Sequence, residues 1–332
     1  ANGASLADCQ AGQIYAYGAE YGTGLGVATF TGNGGNGTNG QGGLIDVFNL
    51  PLSDQTVVIA NAGTNGGLGG IILVEGDPVL DPCQFQLFGN GTLDLINATG
   101  TITIGSLSGS GIVLLDTHTL TIGGNNLDTT FSGVIQESGA VSKVGTGTLT
   151  LTGANSYTGG TTVSAGTLIA SNMSGSATGT GAVSVDAGTL GGSGIILGAT
   201  AIGTGSGTGA FLAPAHGGNK QLTLMIQASL TFNSDSTYTY TFKAKRNKSK
   251  TDKVIANRVT INSGATFNLS GTTQGQLTQG MVLTVIKNTA ATPIAGTFSN
   301  LPDGAIVNVN GNNLQASYSG GDGNDLTLTV VP

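Results

Sequence analysis

Residues 143–168 read KVGTGTLTLTGANSYTGGTTVSAGTL. Within this stretch Thr and Leu alternate from Thr148 to Thr152, and glycines flank the alternation on both sides. A two-residue period of this kind is typical of a short strand with one buried face. The stretch therefore predicts short strands that are separated by glycine turns.

The same phrase returns along the chain at a nearly constant interval. Ser164-Ala-Gly-Thr-Leu168 reappears as Asp186-Ala-Gly-Thr-Leu190, and Gly-Thr-Leu also begins at Gly91 and Gly147. A period of roughly 20–25 residues suits one coil of a β-solenoid, whose apolar face is buried only when neighbouring coils stack. We therefore expect an all-β fold of stacked coils with almost no helix.

Further phrases around this stretch resemble a known family. They are Gly105-Ser-Leu-Ser-Gly-Ser-Gly111, Phe131-Ser-Gly-Val-Ile135, Gly192-Ser-Gly-Ile195, Leu301-Pro-Asp-Gly304 and Gly320-Gly-Asp-Gly-Asn-Asp325. Over roughly Gly91 to Val331 the chain resembles the passenger-associated strand repeat of bacterial autotransporters and related secreted proteins. The resemblance implies a right-handed parallel β-helix on the cell exterior, usually adhesive or structural.

Two regions are expected along the chain. The end of a β-solenoid exposes an unpaired strand edge, so a cap is expected there. We assign residues 1–90 to an N-terminal cap or assembly region and residues 91–332 to the solenoid of passenger-type repeats. In an exported chain, Cys9 and Cys83 are predicted to form a disulfide that fastens the cap, and two buried free thiols are the alternative.

Several features indicate an exported chain. Ala1-Asn2-Gly3-Ala4 resembles a mature N-terminus that remains after cleavage of a signal peptide. No apolar run approaches the roughly 18 residues of a membrane span, so we expect no transmembrane segment. The predicted location is secreted, either extracellular or on the bacterial cell surface.

Charge is distributed very unevenly. Residues 1–142 contain 11 acids and no Lys or Arg, whereas residues 143–332 contain 10 bases and 6 acids, so their net charges are −11 and +4. A basic patch comprises Lys243, Lys245, Arg246, Lys248 and Lys250. One interpretation is a solvated basic hairpin, and another is that opposite charges steer the head-to-tail association of copies. Nucleic-acid binding is not expected, because the chain is net acidic and no aromatic residues interleave its bases.

Candidate catalytic and metal-binding residues are few. Asp116 and His118 would share a strand face, but a polar outward face is the preferred interpretation. Two histidines and two distant cysteines give no recognised metal spacing. Asp322 and Asp325 fit one copy of a calcium-binding nonapeptide, yet such a site needs ligands from stacked copies, so a polar turn is favoured over calcium. We expect no enzyme activity and no cofactor.

The function predicted from these features is that of an extracellular structural or adhesive β-solenoid. We expect copies to self-assemble head-to-tail into a surface or matrix fibre, with Leu326, Leu328 and Val330 of the C-terminal strand as an assembly edge. Cell-surface or matrix components are the other expected partners. Two alternatives stay open: an adhesin passenger separated from the membrane barrel typical of the family, and a polysaccharide-active β-helix enzyme.

Overall fold

Short strands dominate the computed structural model of the protein. It describes residues 13–17, 29–37, 40–48, 56–76, 80–207, 209–216 and 221–332. All regular secondary structure in these residues is strand, so the predicted all-β class is confirmed. Within the same residues, no helix is long and apolar enough to cross a membrane.

The strands are numbered in chain order. The first sixteen are β1 (Gln13–Tyr17), β2 (Thr29–Gly32), β3 (Leu44–Phe48), β4 (Val57–Ala60), β5 (Ile71–Gly76), β6 (Leu80–Leu87), β7 (Thr92–Ala98), β8 (Ile102–Gly109), β9 (Ile112–Leu114), β10 (Thr119–Ile122), β11 (Thr129–Phe131), β12 (Val134–Gln136), β13 (Ala140–Lys143), β14 (Thr148–Leu151), β15 (Thr161–Val163) and β16 (Thr167–Ala170). The others are β17 (Val183–Val185), β18 (Gly188–Gly192), β19 (Ile195–Ile196), β20 (Thr200–Ile202), β21 (Ala210–Leu212), β22 (Thr223–Ile226), β23 (Leu230–Phe232), β24 (Ser236–Lys245), β25 (Lys248–Thr251), β26 (Lys253–Ala256), β27 (Val259–Ile261), β28 (Thr266–Gln274), β29 (Val282–Asn288), β30 (Ile306–Val309), β31 (Asn312–Gly320) and β32 (Asp325–Val331).

The chain divides into two compact units. The first comprises Ala1–Thr162, Gly166–Leu168 and Asn172–Gly181, and the second comprises Val163–Ala165, Ile169–Ser171 and Ala182–Pro332. The predicted boundary after residue 90 stays a prediction. In the structure, β5 and β7 lie on either side of that position and pair with each other in parallel.

In the first unit, strands pair in parallel with strands one coil further along the chain. One sheet has the order β1-β3-β5-β7-β9-β12. In a second set, β4 pairs with β2 and β6, and β6 pairs with β8. The two ends of β8 then pair with different strands, β10 and β11, so the later coils contribute two strands to this set. Leu120 of β10 pairs with Val141 of β13, so the length of this coil falls within the predicted range.

The second unit also contains parallel ladders, and its later coils, like the N-terminal coils of the first unit, are longer than the predicted period. The ladders are β17-β20-β23-β27, β18-β21-β24-β28 and β19-β22-β26-β29. Thr200 pairs with Leu230, and Leu230 pairs with Val259, so each of these two coils exceeds the predicted period. The additional residues form loops and a hairpin between β24 and β26. After β29 the pairing becomes antiparallel, in the order β29-β32-β31-β30.

Alternating burial explains why these segments are strands. In β14, Leu149 and Leu151 are 1% and 0% exposed, whereas the threonines between them are partly exposed. Glycine turns bring neighbouring coils close together: Gly145 has a φ of 67°, and a Cβ there would lie 2.0 Å from the carbonyl oxygen of Gly123 one coil earlier. The parallel ladders, their period and the apolar core are consistent with a β-helix.

Candidate functional site

The basic patch predicted from the sequence forms a hairpin in the second unit. β24 and β25 pair in antiparallel fashion around the turn at 246–247, with Lys243 opposite Lys250 and Lys245 opposite Lys248. Arg246 has a φ of 47°, in the left-handed region that side chains other than Asn and Asp rarely adopt. All five basic side chains are exposed to solvent.

Two rows of side chains form a surface that we call the basic face. The rows are Lys250, Lys243 and Thr272, and Lys248, Lys245 and Gln274, because β24 also pairs in parallel with β28. Alternate residues of a strand point to the same side, so the four ammonium groups lie on one face of the sheet. Like charges directly opposite each other destabilise a sheet by roughly 0.2–1 kcal/mol per pair.

Most cations of the hairpin are not compensated by nearby acids. Among the described residues, Lys245, Arg246, Lys248 and Lys250 have no carboxylate within ion-pair distance. A groove of about 660 Å³ lies along the basic face, and none of the residues that line it is acidic or aromatic. Its volume is within the range of roughly 300–1,000 Å³ that is usual for ligand-binding clefts. The clustered lysines repel one another and do not stabilise the hairpin. They are, however, suited to binding an anion.

Aromatic packing supports the hairpin from below. Tyr238, Tyr240 and Phe242 alternate with the outward residues of β24 and are 0%, 0% and 1% exposed. The rings of Tyr240 and Phe242 lie 6.2 Å apart, and the Tyr238 hydroxyl donates a hydrogen bond of 3.0 Å to the carbonyl oxygen of Val285. A Cβ at Gly271 would lie 2.1 Å from the Phe242 ring, so glycine lets β28 approach β24 there. The basic face therefore stands on a rigid, buried layer.

A buried carboxylate anchors the base of the hairpin. Asp252 follows β25 directly and is 0% exposed. Its Oδ1 accepts a hydrogen bond from the Leu222 amide at 2.8 Å, and its Oδ2 accepts bonds from the amide and hydroxyl of Thr241. Burial raises the pKa of Asp252 above its ordinary value, although these hydrogen bonds act in the opposite direction. The hairpin is thereby tied to both β24 and the segment before β22.

Beside the basic face, β28 is the last strand of the parallel ladder β18-β21-β24-β28. It pairs with β24 from Thr266 to Gln274, and in the described chain no strand pairs with it on the other side. At one end of this edge, the Asn300 side chain binds the amide and the carbonyl of Phe267, both at 2.8 Å. At the other end, the Asn312 side chain accepts a hydrogen bond of 2.7 Å from the Leu277 amide and donates one of 3.3 Å to the carbonyl oxygen of Gly275.

The part of β28 between these two asparagines is an open edge. In a parallel strand, the amide and the carbonyl of one residue point to the same side, and alternate residues point to opposite sides. Since the backbone of Phe267 points away from β24, the backbones of Leu269, Gly271 and Thr273 also point away from it. These three residues present three amides and three carbonyls that form no strand pairing in the described protein.

The predicted assembly edge in the C-terminal strand is wrong. β32 pairs with β29 on one side and with β31 on the other, so it has no open edge. Leu326, Leu328 and Val330 are 0%, 0% and 5% exposed, because their side chains pack into the core. The outer strands at this end of the second unit are β28 and β30.

The weak calcium candidates lie at the turn between β31 and β32. Asp325 is 4% exposed, and its Oδ1 accepts a hydrogen bond of 2.9 Å from the Asn288 amide. Burial raises the pKa of Asp325, and the negative charge of Asp322 raises it further. The described residues contain no group of three or more His, Cys, Asp or Glu side chains placed to hold a metal ion. Asp325 therefore serves the turn by binding backbone.

The remaining candidates are placed as follows. His118 Nε2 lies 3.9 Å from Asp116 Oδ2, so the structure brings this pair together at a turn. The Asp116 amide donates a hydrogen bond of 2.5 Å to Glu137. Cys83 is buried in β6, and Cys9 lies outside the described residues, so the Cys9–Cys83 disulfide stays a prediction.

A buried lysine lies in the stretch from which the fold was predicted. Lys143 is 1% exposed, and its ammonium group donates hydrogen bonds to the carbonyl oxygens of Val144 at 2.6 Å and Gly145 at 3.0 Å. Burial lowers the pKa of Lys143 to about 8, and the negative charge of Asp128 opposes this shift. Gly166 packs directly over the ammonium group, since a Cβ there would lie 2.8 Å from it. Lys143 thus fastens a glycine turn from inside.

The same stretch contains an asparagine that connects coils. Asn155 is 4% exposed; its Oδ1 accepts a hydrogen bond of 2.8 Å from the Ile135 amide, and its Nδ2 donates one of 2.6 Å to the Ala177 carbonyl. Tyr157 is completely buried, with its hydroxyl 2.6 Å from the Thr161 hydroxyl. At this turn, where no strands pair, the Asn155 side chain supplies hydrogen bonds to the backbone of the coils on both sides.

Comparison with known families identifies this stretch. Residues 141–170 match the passenger-associated-transport-repeat family model. The matched repeat contains most of β13 and all of β14, β15 and β16. It includes Lys143, Asn155 and Tyr157, and it confirms the resemblance inferred from the sequence. It suggests an autotransporter passenger-like protein with a secreted or cell-surface location. No curated protein matches the chain.

Proposed function

We propose that this chain is an extracellular structural or adhesive protein, a right-handed parallel β-helix whose copies assemble head-to-tail into a fibre. The role is mechanical and requires no catalysis or cofactor. The matched passenger repeat supports an exported protein, and the stacked parallel strands support an architecture that grows by adding strands. The assembly contact itself is argued from β28.

The observation that carries the proposal is the open edge of β28. Exposed strand edges readily accept a strand from another chain, and natural proteins usually block them. Here, the Asn300 and Asn312 side chains bond backbone only at the two ends of the edge, and between them no strand of the described protein pairs with Leu269, Gly271 or Thr273. A strand from a second copy would complete the hydrogen bonding by β-augmentation.

Charge supports the direction of the contact. Residues 1–142 carry a net charge of −11, and residues 143–332, which include β28, carry +4. Opposite potentials steer two such regions together and oppose contact between like regions. The donated strand is therefore expected from the acidic N-terminal part of the next copy. A contact between two different surfaces does not close on itself, so it produces fibres rather than dimers.

Proline substitution at the open edge tests the proposal. Thr273→Pro removes an outward amide without removing a hydrogen bond to β24, so the fold is retained while the acceptor edge is blocked. Thr273→Val is the matched control, because it keeps the amide and, like the proline, lacks the hydroxyl that accepts a hydrogen bond of 3.3 Å from the Asn312 side chain. We expect fibres in negative-stain images of wild type and of Thr273→Val, and at least a tenfold higher concentration threshold for Thr273→Pro.

Two outcomes would contradict this proposal. Single particles of wild type at all protein and salt concentrations would favour the alternative of a monomeric adhesin passenger. Equal fibre formation by Thr273→Pro and wild type would show that the contact lies elsewhere. Thermal melts of both variants establish that a loss of fibres is not a loss of folding.

A further inference from the structure

The basic face has a regular spacing of charge. Lys243 and Lys250 lie opposite each other, as do Lys245 and Lys248, on neighbouring strands. Strands are roughly 4.8 Å apart, and residues two apart along a strand are separated by roughly 6.8 Å. The backbone positions of the four lysines thus form a small rectangular array. A compact anion reaches one row of this array, whereas an extended polymer with repeated acid groups reaches both.

Neutral hydrogen-bonding groups surround the array. Thr272 and Gln274 continue its two rows on β28, and Asn247 and Ser249 line the same groove. Hydroxyl and amide side chains match a ligand that is rich in hydroxyl groups. The groove thus combines point charges for acid groups with hydrogen-bonding partners for the units between them.

The lining also disfavours other polyanions. None of the residues that line the groove is aromatic, so unpaired nucleic-acid bases have no ring on which to stack. An acidic protein segment would complement the positive charge of the basic face. It would, however, offer few hydroxyl groups to Thr272 and Gln274 of β28.

We propose that the basic face binds an acidic polysaccharide that bears sulfate or carboxylate groups. Successive acid groups contact the Lys243–Lys250 and Lys245–Lys248 pairs, and sugar hydroxyl groups bond to Thr272 and Gln274. Binding releases counterions, so its affinity falls as salt rises. The site uses the side chains of Thr272 and Gln274 on one face of β28, whereas the open edge is the backbone of the same strand, so binding needs no assembly of copies.

Fluorescence anisotropy with labelled oligosaccharides tests this site on the full chain. The probes are heparin for sulfate, polygalacturonate for carboxylate and dextran as a neutral control. We expect binding of at least one acidic probe and none of dextran. In the double variant Lys245→Gln with Lys248→Gln, the affinity is expected to fall at least tenfold. The matched control, Lys253→Gln with Lys287→Gln, removes two charges outside the groove and is expected to change affinity less than twofold.

A second variant separates recognition of sugar from simple charge attraction. Thr272→Val with Gln274→Ala keeps all four lysines, and is expected to weaken the acidic oligosaccharide about threefold without weakening inorganic polyphosphate. If neither acidic probe binds, or if the control pair loses as much affinity as the lysine pair, the proposal is overturned. It is also overturned if polyphosphate, a DNA oligonucleotide or polyglutamate binds more tightly than both acidic oligosaccharides.

Discussion

The coils around the matched repeat in the first unit and the later coils of the second unit differ in length. In the first unit, the coil that joins Leu120 to its partner Val141 is short, and turns are closed by stacked glycines and by Asn155. In the second unit, the coil from Thr200 to Leu230 is longer, and extra chain length also forms the basic hairpin. Short coils leave no chain for additional elements, whereas long coils can carry a binding surface. The coils around the matched repeat thus have no spare chain, whereas the later coil that contains β24 and β25 carries a surface hairpin.

Aromatic deletion is expected to give the largest difference between the units. Tyr238→Ala removes a ring that packs against four others and leaves the Val285 carbonyl without its hydroxyl donor. We expect a loss of about 3–5 kcal/mol in the free energy of unfolding of the second unit. Hydrogen exchange resolves the two units, and Tyr238→Phe is the control that removes the hydroxyl alone. Equal loss of protection in both units would contradict the expectation that the effect is confined to the second unit.

The buried lysine of the first unit predicts an unusual pH dependence. Lys143 has its pKa lowered from 10.5 to about 8, so the unfolded chain binds more protons than the folded chain between these values. Stability of the first unit therefore rises as pH increases from about 8 towards 10.5, by an amount on the order of 3 kcal/mol.

Urea denaturation at several pH values measures this contribution. In Lys143→Met the rise should disappear, and in the exposed control Lys287→Met it should persist. If wild type and Lys143→Met show the same pH profile, the ammonium group is not buried in the folded protein as described.

Glycine turns provide a third test of the difference between the units. Gly145 in the first unit and Gly304 in the second have φ values of 67° and 78°. An alanine at 145 would place its Cβ 2.0 Å from the Gly123 carbonyl, whereas at 304 nothing lies within 4 Å. Both alanines are strained by roughly 1–3 kcal/mol, and Gly145→Ala is expected to lose more in thermal melts because of the overlap. Equal losses would mean that the coils can separate at Gly145.

The smallest expected effect concerns the basic face. Lys248→Glu replaces a like-charge pair with an ion pair opposite Lys245, so we expect it to stabilise the second unit by about 0.2–1 kcal/mol. The same change should weaken binding of the acidic oligosaccharide. Lys248→Gln should give about half the stabilisation, measured by chemical denaturation at low and high salt. No dependence on salt would show that repulsion between the lysines is already screened.

Local patterns predicted much of this fold. The alternation at Thr148–Thr152 indicated a strand, and β14 occupies Thr148–Leu151. The repeated phrase predicted the coil length from β7 onward in the first unit, where Thr92 pairs with Ile112. The N-terminal coils are longer than predicted, since Thr29 pairs with Val57. The alternation of Tyr238 and Tyr240 with threonines placed the tyrosines on one face, which is buried.

Long-range contacts explain what the sequence did not predict. Asn300 and Asn312 close the ends of β28 from distant positions in the chain, and no local pattern marks them. Lys143 was not expected in the core, since lysine is usually exposed and its partners are carbonyls of the turn that it helps to form. Leu326 and Leu328 were misassigned to an edge because alternation defines a buried face but does not define which strands lie on either side.

The antiparallel insertion of β32 beside β29 has a consequence for growth. At β29, one parallel ladder is covered by an antiparallel strand of the same chain. The ladder that ends at β28 has an open edge. The two ends of an assembled fibre would therefore be chemically different. Such a filament is polar, and its elongation rates at the two tips are unequal. Labelled protein added to preformed seeds would then appear mainly at a single tip.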